Sequence, residues 1–234
     1  MQTSTSASFG LFLTAGHGVP PCPKADIDRL ERGLASIPGL ACTHLYTPAS
    51  ASDPYLDDGA PPALMLECAF TSIDMLEASL VADGAFAALF EGVPMVQQAM
   101  VLRYFAVPSP PPAETCCTYV VTYDGEADDA NAWLLHYLAH HPAIMARFPG
   151  IRGIMVASRM EWCSGIAWPR ATALQRNRVV FDDAAALDAA LASPVRHEMR
   201  ADFRALPPFH GRVTHFAMHT RAITPHGTPT GAFA

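Results

Sequence analysis

Apolar and polar residues alternate with a period of two in four stretches of the first half of the chain: Phe9 to Ala15, Ala41 to Thr47, Ala63 to Phe70 and Met100 to Val107. Successive side chains of a strand point to opposite faces, so each stretch reads as a half-buried β-strand. The second half carries four more, at Thr118 to Tyr123, Gly153 to Trp162, Asn177 to Phe181 and Arg212 to Thr220. Helical periodicity fills Lys24 to Ile37 and Asn131 to Phe148, and both segments stop at a Pro-Gly pair, Pro38-Gly39 and Pro149-Gly150. Further helices start near Ser72 and Asp183, with leucines at i, i+4 spacing (Leu76 and Leu80; Leu187 and Leu191).

The two halves match without gaps at an offset of 111 residues. Ile37-Pro38-Gly39-Leu40 falls on Phe148-Pro149-Gly150-Ile151, Phe70 on Phe181, and Phe105-Ala106 on Phe216-Ala217. The order of elements is βαββαβ, twice. The expected fold is therefore α+β, two tandem ferredoxin-like units over residues 1–107 and 117–234, joined by a stiff proline-rich connector at 108–116. Helices on one face of each sheet leave the other bare, and two bare faces packed together form an intramolecular α+β barrel with a cavity between them.

Strand parity selects the side chains for that cavity. In the second strands Ile154, Val156 and Met160 form the helix-packed set, which leaves Met155, Ala157, Arg159 and Glu161 facing the cavity, and the offset carries that face to His44 and Tyr46. In the third strands Leu66, Cys68, Val179 and Phe181 face helices, turning Glu67, Arg176 and Arg178 inward or towards the rim. In the fourth strands Phe105, Phe216 and Met218 read as helix-packed, which turns Tyr104, His215 and His219 towards the cavity. The first strand ends in Thr14-Ala15-Gly16-His17-Gly18, whose glycines allow a tight turn that presents His17 at the mouth. Imidazoles that titrate near neutrality beside a guanidinium suit proton transfer on a small anion. His44 and His215 are the leading proton shuttles, with His219 and His17 behind them; Arg159 clamps a carboxylate, or simply pairs with Glu161, and Tyr46 and Tyr104 hold an enol or carbonyl oxygen. A competing mechanism uses Cys42 as a thiolate, its pKa lowered by His44 two residues on.

Composition narrows the field. A net charge of −7, with 15 Lys plus Arg, gives no footprint for nucleic acid. No apolar run reaches the roughly 18 residues of a membrane span, and MQTSTSASFG lacks the regions of a signal peptide, so a cytoplasmic protein is expected. The six cysteines show no zinc-type spacing. His136 and His140 stand at i, i+4 on a helix, but no third ligand is evident beside them, and no metal is expected. The chain is expected to be a monomer or a homodimer.

His140-His141-Pro142, followed by Phe148-Pro149-Gly150, resembles the His-x-Pro helix and Pro-Gly turn of the EthD-like family within the dimeric α+β barrel superfamily. The likeness covers about residues 117 to 223; the first half lacks the His-x-Pro element and has Arg29 at the position of His140. A two-copy chain of this kind is similar to the cis-trans isomerases of bacterial syringate (lignin aromatic) catabolism. The resemblance implies an isomerase, working without a cofactor, on a small anionic unsaturated carboxylate from aromatic ring cleavage. Other branches of the superfamily imply a heme-binding protein or a non-catalytic ligand-binding barrel instead.

Overall fold

A computed structural model describes residues 8–16, 24–51, 53–109 and 115–224. In chain order the elements are β1 (Phe9–Ala15), α1 (Lys24–Leu34), β2 (Leu40–Pro48), β3 (Met65–Phe70), α2 (Ile73–Ser79), α3 (Ala85–Leu89), β4 (Met95–Phe105), β5 (Thr115–Ala127), α4 (Ala130–Met145), β6 (Gly153–Arg159), β7 (Gln175–Phe181), α5 (Ala184–Leu191), α6 (Pro194–Ala205) and β8 (Phe209–Ile223). The eight strands close into one antiparallel barrel in the order β1-β3-β2-β8-β5-β7-β6-β4. Each half contributes four strands with the same neighbours, β4-β1-β3-β2 and β8-β5-β7-β6, and the halves are stitched by β2–β8 and β4–β6. The two sheets thus join edge to edge, which leaves no open sheet edge to be protected. β5 begins at Thr115, within the stretch expected as a proline-rich connector at 108–116, of which residues 110–114 lie outside the described set.

Local chemistry accounts for most element ends. Ser72 and Asp183 cap α2 and α5, their side chains accepting from the backbone N–H of Met75 and Ala186, and Asp129 does the same for α4 through Ala132. Gly39 and Gly150 follow the helices with φ of +76° and +73°, a conformation that other residues adopt only with strain. Two helices were not read from the pattern, α3 and α6. The latter starts at Ser193-Pro194, with proline in the first helical turn, where its missing N–H costs nothing.

Helix-facing side chains form one core per half. In the first, Leu11, Leu13, Leu66, Cys68 and Phe70 pack under Leu30, Leu34, Leu76 and Phe86. In the second, Tyr123, Val156, Val179 and Phe181 pack under Trp133, Tyr137, Leu187 and Met199. The barrel interior is a separate layer, holding Phe12, Met100, Leu102, Met155 and Ala157 towards one side and Tyr46, Met65, Val120, Phe216 and Met218 towards the other.

The long loops cross over. The β6–β7 loop lays Ile166 and Trp168 on the first-half core, with Gln97 Nε2 donating to both of their carbonyls. The β2–β3 loop does the reverse and lies over the second half, where Asp53 and Asp58 make their hydrogen bonds.

Candidate functional site

The described residues enclose a cavity of about 280 Å³ between the outer face of the second-half sheet and helices α4, α5 and α6, outside the barrel. Val121, Val179, Phe181, Leu187, Leu191 and Met199 make its body apolar. A second space of about 140 Å³ lies under the β2–β3 loop. Tyr119, His215 and Leu56 line both, so the two spaces meet at one polar junction. An apolar body with a few convergent polar groups is the usual form of a small-molecule site.

At that junction, the Asp58 carboxylate accepts from His215 twice, from its backbone N–H at 2.8 Å and from Nδ1 at 3.0 Å. Burial lowers the His215 pKa and Asp58 only partly offsets this, so the ring is neutral at neutral pH. With Nδ1–H given to the carboxylate, the Nε2 lone pair is available as a base. Beside it, Asp53 Oδ2 accepts from Tyr119 Oη at 2.6 Å and from Arg196 Nη2 at 2.7 Å. Burial opposes the charge on Asp53, but Tyr119, the Tyr55 N–H and Arg196 outweigh it and hold the carboxyl below its ordinary value. Arg196, Arg200 and Arg204 repeat every fourth residue on α6 and all line the cavity, a cationic stripe on one wall. Across from it, His141 gives Nδ1 to Asp202 at 2.6 Å and packs on the Tyr137 ring.

Over nearly its whole length the chain is similar to an anthrone oxidase-like protein, with a TM-score of 0.63, 10% identity and 98% of each chain covered. A candidate monooxygenase from Fusobacterium nucleatum aligns at a TM-score of 0.60 and 7% identity over 96% of each chain. Another, from Lactobacillus acidophilus, aligns at 0.54 and 12%, covering 94% of this chain and 96% of that one. The likeness is one of fold. No family model matches the chain, and no curated protein does.

The residues selected by strand parity divide into three groups. His44, Tyr46, Tyr104 and Cys42 do face the barrel interior, around Glu67 and Arg178. There Tyr46 donates to Glu67 Oε2 at 2.7 Å, and Arg178 Nη1 donates to His44 Nε2 at 2.9 Å. That bond makes His44 Nε2 the acceptor, so its proton sits on Nδ1, 3.5 Å from Glu67 Oε1. Burial first and Arg178 second lower the His44 pKa, and its only lone pair is already taken. Burial also pushes the Cys42 thiol up to about 11, with Arg178 offsetting little, which is the opposite of the lowering expected from His44. Arg159 and Glu161 sit at the rim; both are exposed, and Arg159 forks onto Glu126 rather than onto Glu161. His215 and His219 are on the outer side of β8, His219 exposed, because Phe216 and Met218 turn into the barrel instead of under the helices. His17 lies outside the described residues.

The β8 correction has a simple origin. The 111-residue offset keeps the same facing in β2 and β6 and in β3 and β7, but Tyr104 faces the interior while His215, its match, does not. An odd slip between the halves reverses every side chain of a strand. Asp53, Asp58, Arg196 and Asp202 had no signal in the strand pattern. Ser193-Pro194, a helix start with proline in the first turn, is the local signal by which α6 could have been found.

Proposed function

We propose that this protein is a cofactor-independent isomerase that moves a proton on a small, anionic, unsaturated molecule, with enol carboxylates from aromatic ring cleavage as the substrate class. The observation that carries the reading is the His215–Asp58 pair at the junction of the two spaces, a neutral imidazole whose Nδ1 is held by a carboxylate. The arginines of α6 attract the carboxylate, and the apolar body of the cavity takes the conjugated chain. His215 Nε2 removes the enol O–H proton, and that proton is returned to the distal carbon of the conjugated system. The former double bond is then single and rotates; the reverse transfer restores the enol with the other geometry. Arg196, which gives an Nη2–H to Asp53, keeps further N–H groups to donate to the developing oxyanion, and Tyr119, whose one O–H proton goes to Asp53, helps fix that acid in place.

The test is proton NMR of such an enol carboxylate in deuterated water with the purified protein. Deuterium incorporation at carbon together with cis–trans interconversion, both lost in His215→Gln, is the expected result. Neither process above the buffer rate, or both persisting in His215→Gln, overturns the reading.

A second reading has one specific support, the names of the structures that share the fold. The same base would deprotonate an acidic aromatic C–H or O–H, and the resulting carbanion would react with dioxygen. Oxygen uptake during turnover separates the two, since isomerisation consumes none.

A further inference from the structure

The helix pair α4–α6 carries a feature that the proton-transfer site does not use. His136 and His140, one turn apart on α4, and Asp202 of α6 bring one ligand atom each within 4.8 Å of one another. Asp202 is the third ligand that the sequence around the two histidines does not supply; it stands 66 residues beyond His136 and meets α4 only in the folded chain.

We propose that His136, His140 and Asp202 form a zinc-type divalent metal site that clips α4 to α6. The donor set is two imidazoles and a carboxylate, which matches zinc and leaves a fourth tetrahedral position for water. His136 Nε2 is 3.6 Å from Asp202 Oδ1, close to the separation of about 3.3 Å that two ligands at tetrahedral angles around zinc require. That nitrogen is buried and has no hydrogen-bond partner among the described residues, an unusual state for a polar atom, which a metal would relieve. The rings of His136 and His140 lie 4.4 Å apart, and the His140 side chain is exposed.

The surrounding hydrogen bonds suit ligation. His140 Nδ1 is 2.9 Å from the His136 carbonyl, which leaves Nε2 for the metal with the other nitrogen donating to backbone, the arrangement common to metal-bound imidazoles. Asp202 uses its second oxygen, Oδ2, to accept from His141 Nδ1 at 2.6 Å. A ligating carboxylate is thereby oriented from behind, and the group that orients it, His141, lines the 280 Å³ cavity. A metal here would hold the cavity's wall in place without touching His215.

Tag-free protein, stripped with a chelator and dialysed, is titrated with Zn2+ by calorimetry, and bound metal is counted by elemental analysis. One zinc per chain is expected, with a higher melting temperature in its presence and ligand-field absorption in the visible when Co2+ replaces it. His140→Ala changes an exposed side chain and keeps the fold, which circular dichroism verifies; it is expected to weaken zinc binding by about 10-fold or more and to abolish the melting shift. His197→Ala and His210→Ala, at other surface histidines, are expected to change neither. No saturable binding, binding unchanged in His140→Ala, or equal losses in the His197 and His210 variants would each overturn the site.

Discussion

Asp58 and His215 are 157 residues apart in the chain, yet one carboxylate oxygen accepts from both the backbone and the ring of the histidine. Asp58 comes from the first half and His215 from the last strand of the second, so the candidate base exists only when the β2–β3 loop lies across the other half. The predictions below follow from that arrangement and from the charges buried in the barrel.

In the proposed isomerisation His215 acts in its neutral form, and burial keeps its pKa below the ordinary histidine value in spite of Asp58. The kcat/KM of the isomerisation is therefore expected to fall as pH drops through a midpoint below about 6.5. Asp58→Asn removes the group that supports the imidazolium, so the midpoint moves lower still, and loss of orientation reduces the plateau by about 100-fold. A pH–rate profile of both proteins checks this, and an unchanged midpoint in Asp58→Asn would contradict it. The same shift affects folding. Unfolded chain takes up the proton first, so the stability from neutral His215 is complete above about pH 6.5 and is lost as pH falls through the lower folded value.

Asp53 pins the covering loop by accepting from Tyr119 and Arg196 together. Asp53→Ala leaves two buried donors without their acceptor and is expected to cost about 2–4 kcal/mol in urea unfolding. It also releases the loop, so proteolytic cleavage between residues 53 and 64 is expected to accelerate and KM to rise. A variant cleaved no faster than the parent would show that other contacts hold the loop.

Arg178 and Arg176 point from the same face of β7 into the barrel and are expected to behave oppositely. Arg178 Nε lies 3.4 Å from Glu67 Oε2; burial resists the carboxylate's charge, but Arg178, His44 and Tyr46 bring its pKa down to about 2. Arg178→Met strands that carboxylate and is expected to cost about 3–5 kcal/mol near neutral pH. The loss should shrink in acid, because the pair's contribution is complete above the ordinary carboxylate value and disappears as pH falls towards 2. Arg176 has no ion-pair partner among the described residues; its guanidinium lies 5.3 Å from the Phe12 ring, and burial pulls its pKa down to about 10. Arg176→Met removes a buried charge that has no ion-pair partner among the described residues and only partial support from Asp124, so thermal melting is expected to be unchanged or higher. Equal destabilisation by the two substitutions would mean that Arg176 has an acceptor of its own.

Thiol chemistry gives a direct check on the rival mechanism. Cys42, Cys68 and Cys117 are buried, and burial pushes their pKa values up to between about 11 and 12, whereas Cys163 is exposed. Iodoacetamide at neutral pH is expected to label Cys163 ahead of these three in the native protein, with turnover unaffected. Mass spectrometry of the labelled peptides reports the order, and activity loss tracking Cys42 modification would restore the thiolate route.

Alternation along a strand is a local property of the backbone, so the sequence alone determined the order of the eight strands and the facing of β2, β3, β6 and β7. Alternation turns His44 and Tyr46 inward and Glu67, Arg176 and Arg178 inward or towards the rim, and all five line the barrel. Caps and stops are equally local, which is why Ser72, Asp183, Gly39 and Gly150 could be read directly. Facing in β8 was not local, because a match carried over from the first half is reversed by any odd slip on the way. The tertiary structure alone decided where the long loops land, and hence which acid meets which base. Asp58 reaches His215, Asp53 reaches Arg196, and Asp202 reaches His136 only after eight strands have closed into one barrel and brought distant segments over each other. Polar residues in a loop carry no periodicity that could announce their partners.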